Sequence, residues 1–197
     1  MYQPLVSIVI PVYNAEQTII DVLESVQAQS YRPIEVVVVD DGSTDRTEEI
    51  VRQSLVGLTG DVATGQANDA DSAKLIYIHQ NNAGPSKARN SAIQAANGDL
   101  IAFLDADDIW EKDKLSKQVR FLEKNPDIDI VFTDAEVKRQ KKWISDQFRM
   151  FEKKRLDQHF FGHPCKVIDP LEKLLQINFM LTPTVMIRKS CFSGTLF

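Results

Sequence analysis

Residues 101–110, Ile-Ala-Phe-Leu-Asp-Ala-Asp-Asp-Ile-Trp, contain the strongest indication of fold and function in this chain. Their opening apolar run has the length and continuity of a strand buried on both faces. It ends in three carboxylates, Asp105, Asp107 and Asp108, and open α/β sheets bind ligands at the carboxyl ends of such strands. Three negative charges this close repel one another unless a cation lies among them. We therefore expect a hard divalent cation here, carrying a diphosphate.

The three carboxylates have different expected roles. Asp108 and Glu111 have the spacing of a capping box, so Asp108 is expected to cap the next helix. Asp105 and Asp107 are two residues apart and point the same way if the chain is still extended there. Because capping does not explain these two residues, we expect Asp107 to bind the metal.

The rest of the chain alternates between apolar runs and amphipathic segments. Residues 5–10, 34–39, 74–79 and 184–187 are predicted strands, and residues 128–137 are a predicted strand that contains Asp134. A capping box of Asn14 and Gln17 predicts a helix after the first strand. Further helices are expected near 45–55, 85–96 and 112–124. This rhythm predicts a Rossmann-like α/β fold, a mostly parallel central sheet with helices on both faces.

Composition limits the functional classes. The 197 residues are 43% hydrophobic and 26% charged, which is typical of a soluble globular domain. The net charge of −5 argues against a nucleic-acid-binding protein but allows a mononucleotide bound through a metal. The two cysteines, Cys165 and Cys191, lie far apart and are expected to be free thiols of a reducing compartment. We find no signal peptide, which predicts a cytoplasmic protein.

The sequence lacks the motifs of three other classes of nucleotide-binding enzyme. A dinucleotide dehydrogenase needs a glycine-rich turn after its first strand, and residues 11–14 contain no glycine. The P-loop consensus of NTPases is absent, and so is the glycine- and lysine/arginine-rich loop of a sugar-phosphate nucleotidyltransferase. A nucleotidyltransferase and a non-catalytic nucleotide-sugar-binding module remain as alternatives to a sugar-transfer enzyme.

Four segments, in order and spacing, resemble the family 2 glycosyltransferases. They are residues 6–14 (VSIVIPVYN), 39–45 (VDDGSTD), 88–90 (ARN) and 103–108 (FLDADD). The resemblance covers about residues 5–135 and implies an inverting enzyme with the GT-A fold and an aspartate-x-aspartate motif. It divides the chain into a donor-binding part, residues 1–137, and the start of an acceptor-binding part, residues 138–197.

The resemblance also implies residue roles, as follows. Pro11, Val12 and Tyr13 line the nucleotide base, and Asp41, together with Asp40, accepts a hydrogen bond from the base imide, which suits a UDP-sugar. Arg89 lies near the donor phosphates, or forms a surface salt bridge. Asp105 faces the ribose or the metal, and Asp107 ligates Mg²⁺ or Mn²⁺.

The general base and the acceptor are less well defined by the sequence. The family's base is usually a carboxylate of a Glu-Asp pair, which is not found after Leu181, so we expect the base beyond Phe197, with Asp134 as a substitute. The hypothesis is that this chain binds donor and metal but turns over poorly. Residues 138–155 mix basic and aromatic side chains. They are either a solvated loop or a flap lying against an anionic membrane or a lipid-linked acceptor, and the acceptor is a carbohydrate or a lipid-linked group.

Overall fold

The computed structural model describes residues 2–59, 73–139, 142–144 and 181–192. Their helices and strands are, in chain order, β1 (Val6–Val12), α1 (Ile19–Gln27), β2 (Ile34–Asp40), α2 (Thr47–Thr59), β3 (Lys74–His79), α3 (Pro85–Ala95), β4 (Leu100–Phe103), α4 (Lys114–Lys124), β5 (Ile130–Phe132), β6 (Val137–Arg139), β7 (Lys142–Ile144) and β8 (Val185–Arg188).

Six strands form one central sheet in the order β3-β2-β1-β4-β8-β5. The first four of these strands pair in parallel, whereas β8 runs antiparallel to both of its neighbours. Strands β6 and β7 pair separately as a small antiparallel sheet. The predicted mostly parallel α/β sheet is therefore confirmed, and the predicted last strand is displaced by one residue.

Helices cover both faces of the sheet, as predicted. One core contains residues of α1, α2 and α4, including the stripe Ile19, Leu23 and Val26. The opposite core lies under α3, which presents the small residues Ala88 and Ala92. Small side chains allow that helix to approach the sheet closely. Every residue of β1 and β2 is buried, which explains their continuous apolar runs.

Both capping boxes predicted from the sequence are wrong. Helix α1 begins at Ile19, four residues after Ala15, which an Asn14 cap would make the first helical residue. Thr18 at the observed N-cap makes no side-chain capping bond. Helix α4 begins at Lys114 rather than after Asp108. The Asp108 N–H instead donates to the Asp105 carbonyl at 3.2 Å and closes a turn. The chain is thus not extended from 105 to 108, and strand alternation does not align Asp105 with Asp107.

The strand predicted at 128–137 is also wrong in its extent. Strand β5 ends at Phe132, and Asp134 lies in the following loop, where its side chain is exposed and accepts the N–H of Ala135 at 2.8 Å. The ladder with β8 ends at the Phe132–Val185 pair, because the residues before Val185, Thr182–Thr184, form a 3-10 helix instead of a strand.

Several expectations fall partly or wholly outside the described residues. Helix α2 extends to Thr59 rather than ending near 55, and residues 60–72 of the expected surface insertion are not described. Beyond the hairpin of β6 and β7, residues 145–155 of the basic-aromatic stretch lie outside the description, as does Cys165. Cys191 is an exposed free thiol, as expected.

Candidate functional site

The carboxyl ends of the parallel strands bring the predicted binding residues to one edge of the sheet. Val12 pairs with Asp40 in the β1–β2 register, and Val9 pairs with Phe103 of β4, two residues before Asp105. Tyr13, directly after β1, is 53% exposed. The predicted nucleotide and metal residues at this edge either end a strand or lie shortly after one, and they are Pro11, Val12, Tyr13, Asp40, Asp41, Asp105 and Asp107.

Asp40 is the last residue of β2 and is 1% exposed. One carboxylate oxygen accepts the backbone N–H of Ser43 at 2.7 Å, and the other accepts the hydroxyl of Tyr77 at 2.8 Å. Burial and the bond to Asp40 together raise the pKa of the Tyr77 hydroxyl. Asp40 therefore ties the end of β2 to β3 and to its own following turn.

Asp41 is also buried, and it organises the loop that leads into α3. Its Oδ1 accepts Gln80 Nε2 at 2.7 Å and the Ala83 N–H at 2.9 Å, and its Oδ2 accepts the Gly84 N–H at 2.8 Å. An ionised carboxylate has about four acceptor positions, so three bonds leave one for a further donor.

Three consecutive backbone N–H groups after β1 are held by side chains of the loop after β2 and of the first residue of α2. We call this set of bonds the amide clasp. Its donor–acceptor pairs are Asn14 N to Ser43 Oγ at 2.9 Å, Ala15 N to Thr47 Oγ1 at 2.8 Å and Glu16 N to Asp45 Oδ2 at 3.0 Å. Burial opposes the ionisation of Asp45, but hydrogen bonds from Thr47 and Glu16 lower its pKa overall. The two segments are thereby fixed to each other, and each of these three N–H groups already has an acceptor within the protein.

Arg89, on α3, reaches across to the loop after β4. Its Nη2 lies 2.5 Å from Asp105 Oδ1, and both side chains are largely shielded, at 15% and 29% exposure. The buried Nε of Arg89 has no hydrogen-bond partner among the described residues. A buried N–H without an acceptor is costly, and because this atom is shielded from solvent, an external oxygen would reach it only after neighbouring groups move.

We call residues 105–108 the acidic turn. Its three carboxylates carry more negative charge than the neighbouring side chains neutralise. Burial, together with the charges of Asp107 and Asp105, raises the pKa of Asp108 to about 6. Asp107 is exposed at the tip of the turn. In the part of the chain that the structure describes, no three His, Cys, Asp or Glu side chains form a metal-binding group by themselves. The turn nevertheless supplies the hard oxygen donors that Mg²⁺ and Mn²⁺ prefer, and such ions fill their other positions with water and phosphate.

A buried polar cluster supports the residues that follow this turn. Trp110 Nε1 donates to the Pro183 carbonyl at 2.9 Å. The Lys114 ammonium lies 4.1 Å from the centre of the Trp110 ring and donates to Gln118 Oε1 at 2.8 Å. Gln118 Nε2 in turn donates to the Thr184 carbonyl at 2.8 Å. Burial lowers the pKa of Lys114 to about 7. The cluster connects the acidic turn to the segment that enters β8.

Sequence reasoning missed Tyr77, Gln80, Ser43 and Thr47 as residues that shape this edge. Each acts through a bond to a residue that is distant in sequence. A clue was present in their positions, because all four lie within a few residues of the carboxyl end of β2 or β3.

This fold, with its acidic loops after β2 and β4, is an α/β domain of the GT-A type. S. aureus TarS 1–349 in complex with UDP-GlcNAc is similar over 94% of this chain and 45% of that chain, with a TM-score of 0.66 and 25% identity. The mannosyltransferase PcManGT from Pyrobaculum calidifontis, in complex with GDP-Man and Mn²⁺, is similar over 70% of this chain and 36% of that chain, with a TM-score of 0.54 and 30% identity.

The model of Glycosyl transferase family 2 matches residues 7–192, and the chain therefore belongs to that family. The chain is 39% identical over 121 residues to the putative teichuronic acid biosynthesis glycosyltransferase TuaG of Bacillus subtilis, covering 61% of this chain and 43% of TuaG. It is 38% identical over 120 residues to WfaP of Escherichia coli, covering 60% of this chain and 41% of WfaP. WfaP is described as a UDP-Glc:alpha-D-GlcNAc-diphosphoundecaprenol beta-1,3-glucosyltransferase.

These matches span less than half the length of TuaG and WfaP. Among the described residues, no helix combines the length and the apolar character that crossing a membrane requires.

Proposed function

We propose that this chain binds the donor of a glycosyltransferase that moves a sugar from a UDP-sugar to a carbohydrate or lipid-linked acceptor, with inversion, in the synthesis of cell-surface polysaccharide or glycolipid. Family membership and the names of TuaG and WfaP support the reaction class and the setting. The UDP-GlcNAc complex of TarS supports a uridine nucleotide as the donor's carrier. The observation that carries the proposal is the junction of the Asp41 loop, the Arg89–Asp105 pair and the acidic turn at one sheet edge.

The diphosphate needs positive charge, and the backbone of this edge supplies little of it. The amides of residues 14–16 are occupied by the amide clasp, and the Ala83 and Gly84 amides are occupied by Asp41. Among the described residues Arg89 lies beside the acidic turn, and its guanidinium is already paired with Asp105. A divalent cation at the turn would supply the remainder, which favours metal-assisted transfer.

The residue roles follow from this arrangement. Asp41 has one acceptor position left for the base imide, and Pro11, Val12 and Tyr13 lie at the same edge of the sheet, where Tyr13 is exposed. Asp107, with Asp105 beside it, would hold Mg²⁺ or Mn²⁺, whose chemistry is to stabilise the negative charge that develops on the departing diphosphate. The Arg89 guanidinium, which lies beside Asp105, would attract the donor phosphates by its charge.

Inversion requires a carboxylate that removes the proton from the attacking acceptor hydroxyl. Asp134 is exposed and lies in the loop after β5, so among the described residues it remains our substitute for that base. The acceptor side and the base of the whole protein are part of the proposal, because the matched region is under half of TuaG and WfaP.

A thermal-shift screen tests the donor and metal assignments together. UDP, GDP, TDP and CDP are each added with and without Mn²⁺, and we expect the largest rise in melting temperature for UDP with metal. Ligand at about a hundred times its Kd stabilises by roughly 2.7 kcal/mol, or about 5–10 °C for a chain of this size.

Asp107→Ala should remove the metal dependence of that shift. Asp21→Ala, at an exposed carboxylate in the first turn of α1, is the matched control and should behave as the unsubstituted chain. Equal shifts for all four nucleotides, with or without Mn²⁺, would contradict the proposed site.

A further inference from the structure

The amide clasp fixes the chain directly after Tyr13. Asn14 donates its N–H to Ser43 Oγ at 2.9 Å and accepts the Thr44 N–H on its Oδ1 at 2.8 Å. Asn14 also has a φ of 49°, in the left-handed region that residues other than glycine rarely occupy. These two hydrogen bonds hold Asn14 in this conformation. Asn14 therefore sets the direction in which the chain leaves β1.

Ser43, which accepts the Asn14 N–H in the amide clasp, is itself held in place by hydrogen bonding within the protein. Its N–H is bonded to Asp40, whose other oxygen takes the hydroxyl of Tyr77 on β3. Asp40 is 1% exposed, so this support lies inside the protein and not at the ligand surface. Tyr77 is further covered by the Arg52 guanidinium, 4.7 Å from the ring centre. A rigid path therefore leads from the sheet through Asp40 and Ser43 to Asn14.

We propose that Ser43 is a positioning residue for nucleobase binding, which acts through Asn14 to fix the exposed ring of Tyr13. The inference rests on the proposed function, in which this edge binds a nucleoside diphosphate. It gives Asp40 a supporting role, because its two oxygens accept the Ser43 N–H and the Tyr77 hydroxyl.

The two ends of the ligand then depend on different loops. The base lies against the loop after β1, which the amide clasp controls. The diphosphate lies against Arg89 and the acidic turn, for which the described part of the chain shows no hydrogen bond with Ser43. Loss of the Ser43 hydroxyl should therefore weaken a ligand that carries a base and spare one that does not.

Isothermal titration with UDP and with inorganic diphosphate, both in Mg²⁺, measures this difference. Ser43→Ala should raise the Kd for UDP by roughly five- to tenfold, the value of one hydrogen bond, and leave the Kd for diphosphate within about twofold. Ser43→Thr keeps the hydroxyl and should restore the affinity for UDP. Ser54→Ala is the control, because the Ser54 hydroxyl bonds only the Ile50 carbonyl within α2.

The outcomes separate this inference from the function on which it rests. If the unsubstituted chain binds UDP and Ser43→Ala binds it equally well, or loses UDP and diphosphate to the same extent, the positioning role is wrong and the binding site stands. If the unsubstituted chain binds neither ligand, the proposed function is wrong and the inference fails with it. Melting temperatures of the variants identify any loss that reflects unfolding.

Discussion

Replacing Lys114 by Met should flatten the pH dependence of this protein's stability. Lys114 is 8% exposed, and its ammonium meets only the Trp110 ring and the Gln118 side chain among the contacts that the structure gives it. Burial lowers its pKa from 10.5 to about 7. Between these two pH values the unfolded chain holds more protons than the folded one, so stability must rise with pH.

The size of the effect follows from the same two values. A lysine that titrates near 7 when folded and near 10.5 when unfolded contributes about 2 kcal/mol of added stability between pH 7 and pH 9. Lys114→Met cannot titrate, so its free energy of unfolding should rise by about 2 kcal/mol less over that interval. Met also leaves Gln118 Oε1 without its donor, but this cost is the same at every pH and does not affect the slope.

Urea unfolding followed by circular dichroism at pH 7, 8 and 9 gives the two slopes. Lys117→Met is the matched control, because Lys117 lies on the same helix with an exposed side chain. It should keep the slope of the unsubstituted chain. Other groups, including the Cys191 thiol whose pKa burial raises, titrate alike in all three proteins and cancel in the comparison. Equal slopes for Lys114→Met and the unsubstituted chain would refute the reasoning.

Two further predictions concern the loops at the carboxyl edge. Gly42 has a φ of 81°, and a Cβ there would lie 2.9 Å from the Asn82 nitrogen, so Gly42→Ala should cost about 2–3 kcal/mol. Gly84 has a φ of 90° and a ψ of 160°, a region that only glycine readily adopts, so Gly84→Ala should cost about 1–3 kcal/mol from backbone strain, although nothing lies within 4 Å of the added Cβ; an unchanged free energy of urea unfolding for either variant would contradict this account. Trp110→Phe keeps a ring beside Lys114 but loses the N–H that binds the Pro183 carbonyl, and should lower the free energy of unfolding by about 1–2 kcal/mol; an unchanged value would show that the bond contributes nothing.

The sheet was predictable because its central strands are buried on both faces. Such burial leaves a direct mark in the sequence, as in β2, where every residue from Ile34 to Asp40 is buried. The edge at which the carboxylates meet follows from the parallel order alone. The position of β8 between β4 and β5 did not follow, because antiparallel insertion is decided by contacts far apart in sequence.

The loops were poorly predicted because their hydrogen bonds join distant residues. Asn14 has the residue type of a helix cap, yet its side chain accepts from Thr44 instead. Lys114 and Gln118 lie on the buried stripe of α4 with Leu115, Val119 and Leu122, so the helical period indicated their burial. Their polarity hid it, because the partners that make burial tolerable are Trp110 and Thr184.

The four loops after β1, β2, β3 and β4 are joined in sequence by three polar connections. Ser43 links the first loop to the second, Asp41 links the second to the third through Ala83, and Arg89, just after the third loop, reaches Asp105 in the fourth. Ordering loops at the moment of binding lowers affinity, and these bonds offset that cost before any ligand arrives. Under the proposed function, the free energy of donor binding at this edge would therefore come from the contacts that the donor makes. For the same reason, a substitution that removes one of these hydrogen bonds should weaken the binding of the part of the ligand nearest to it.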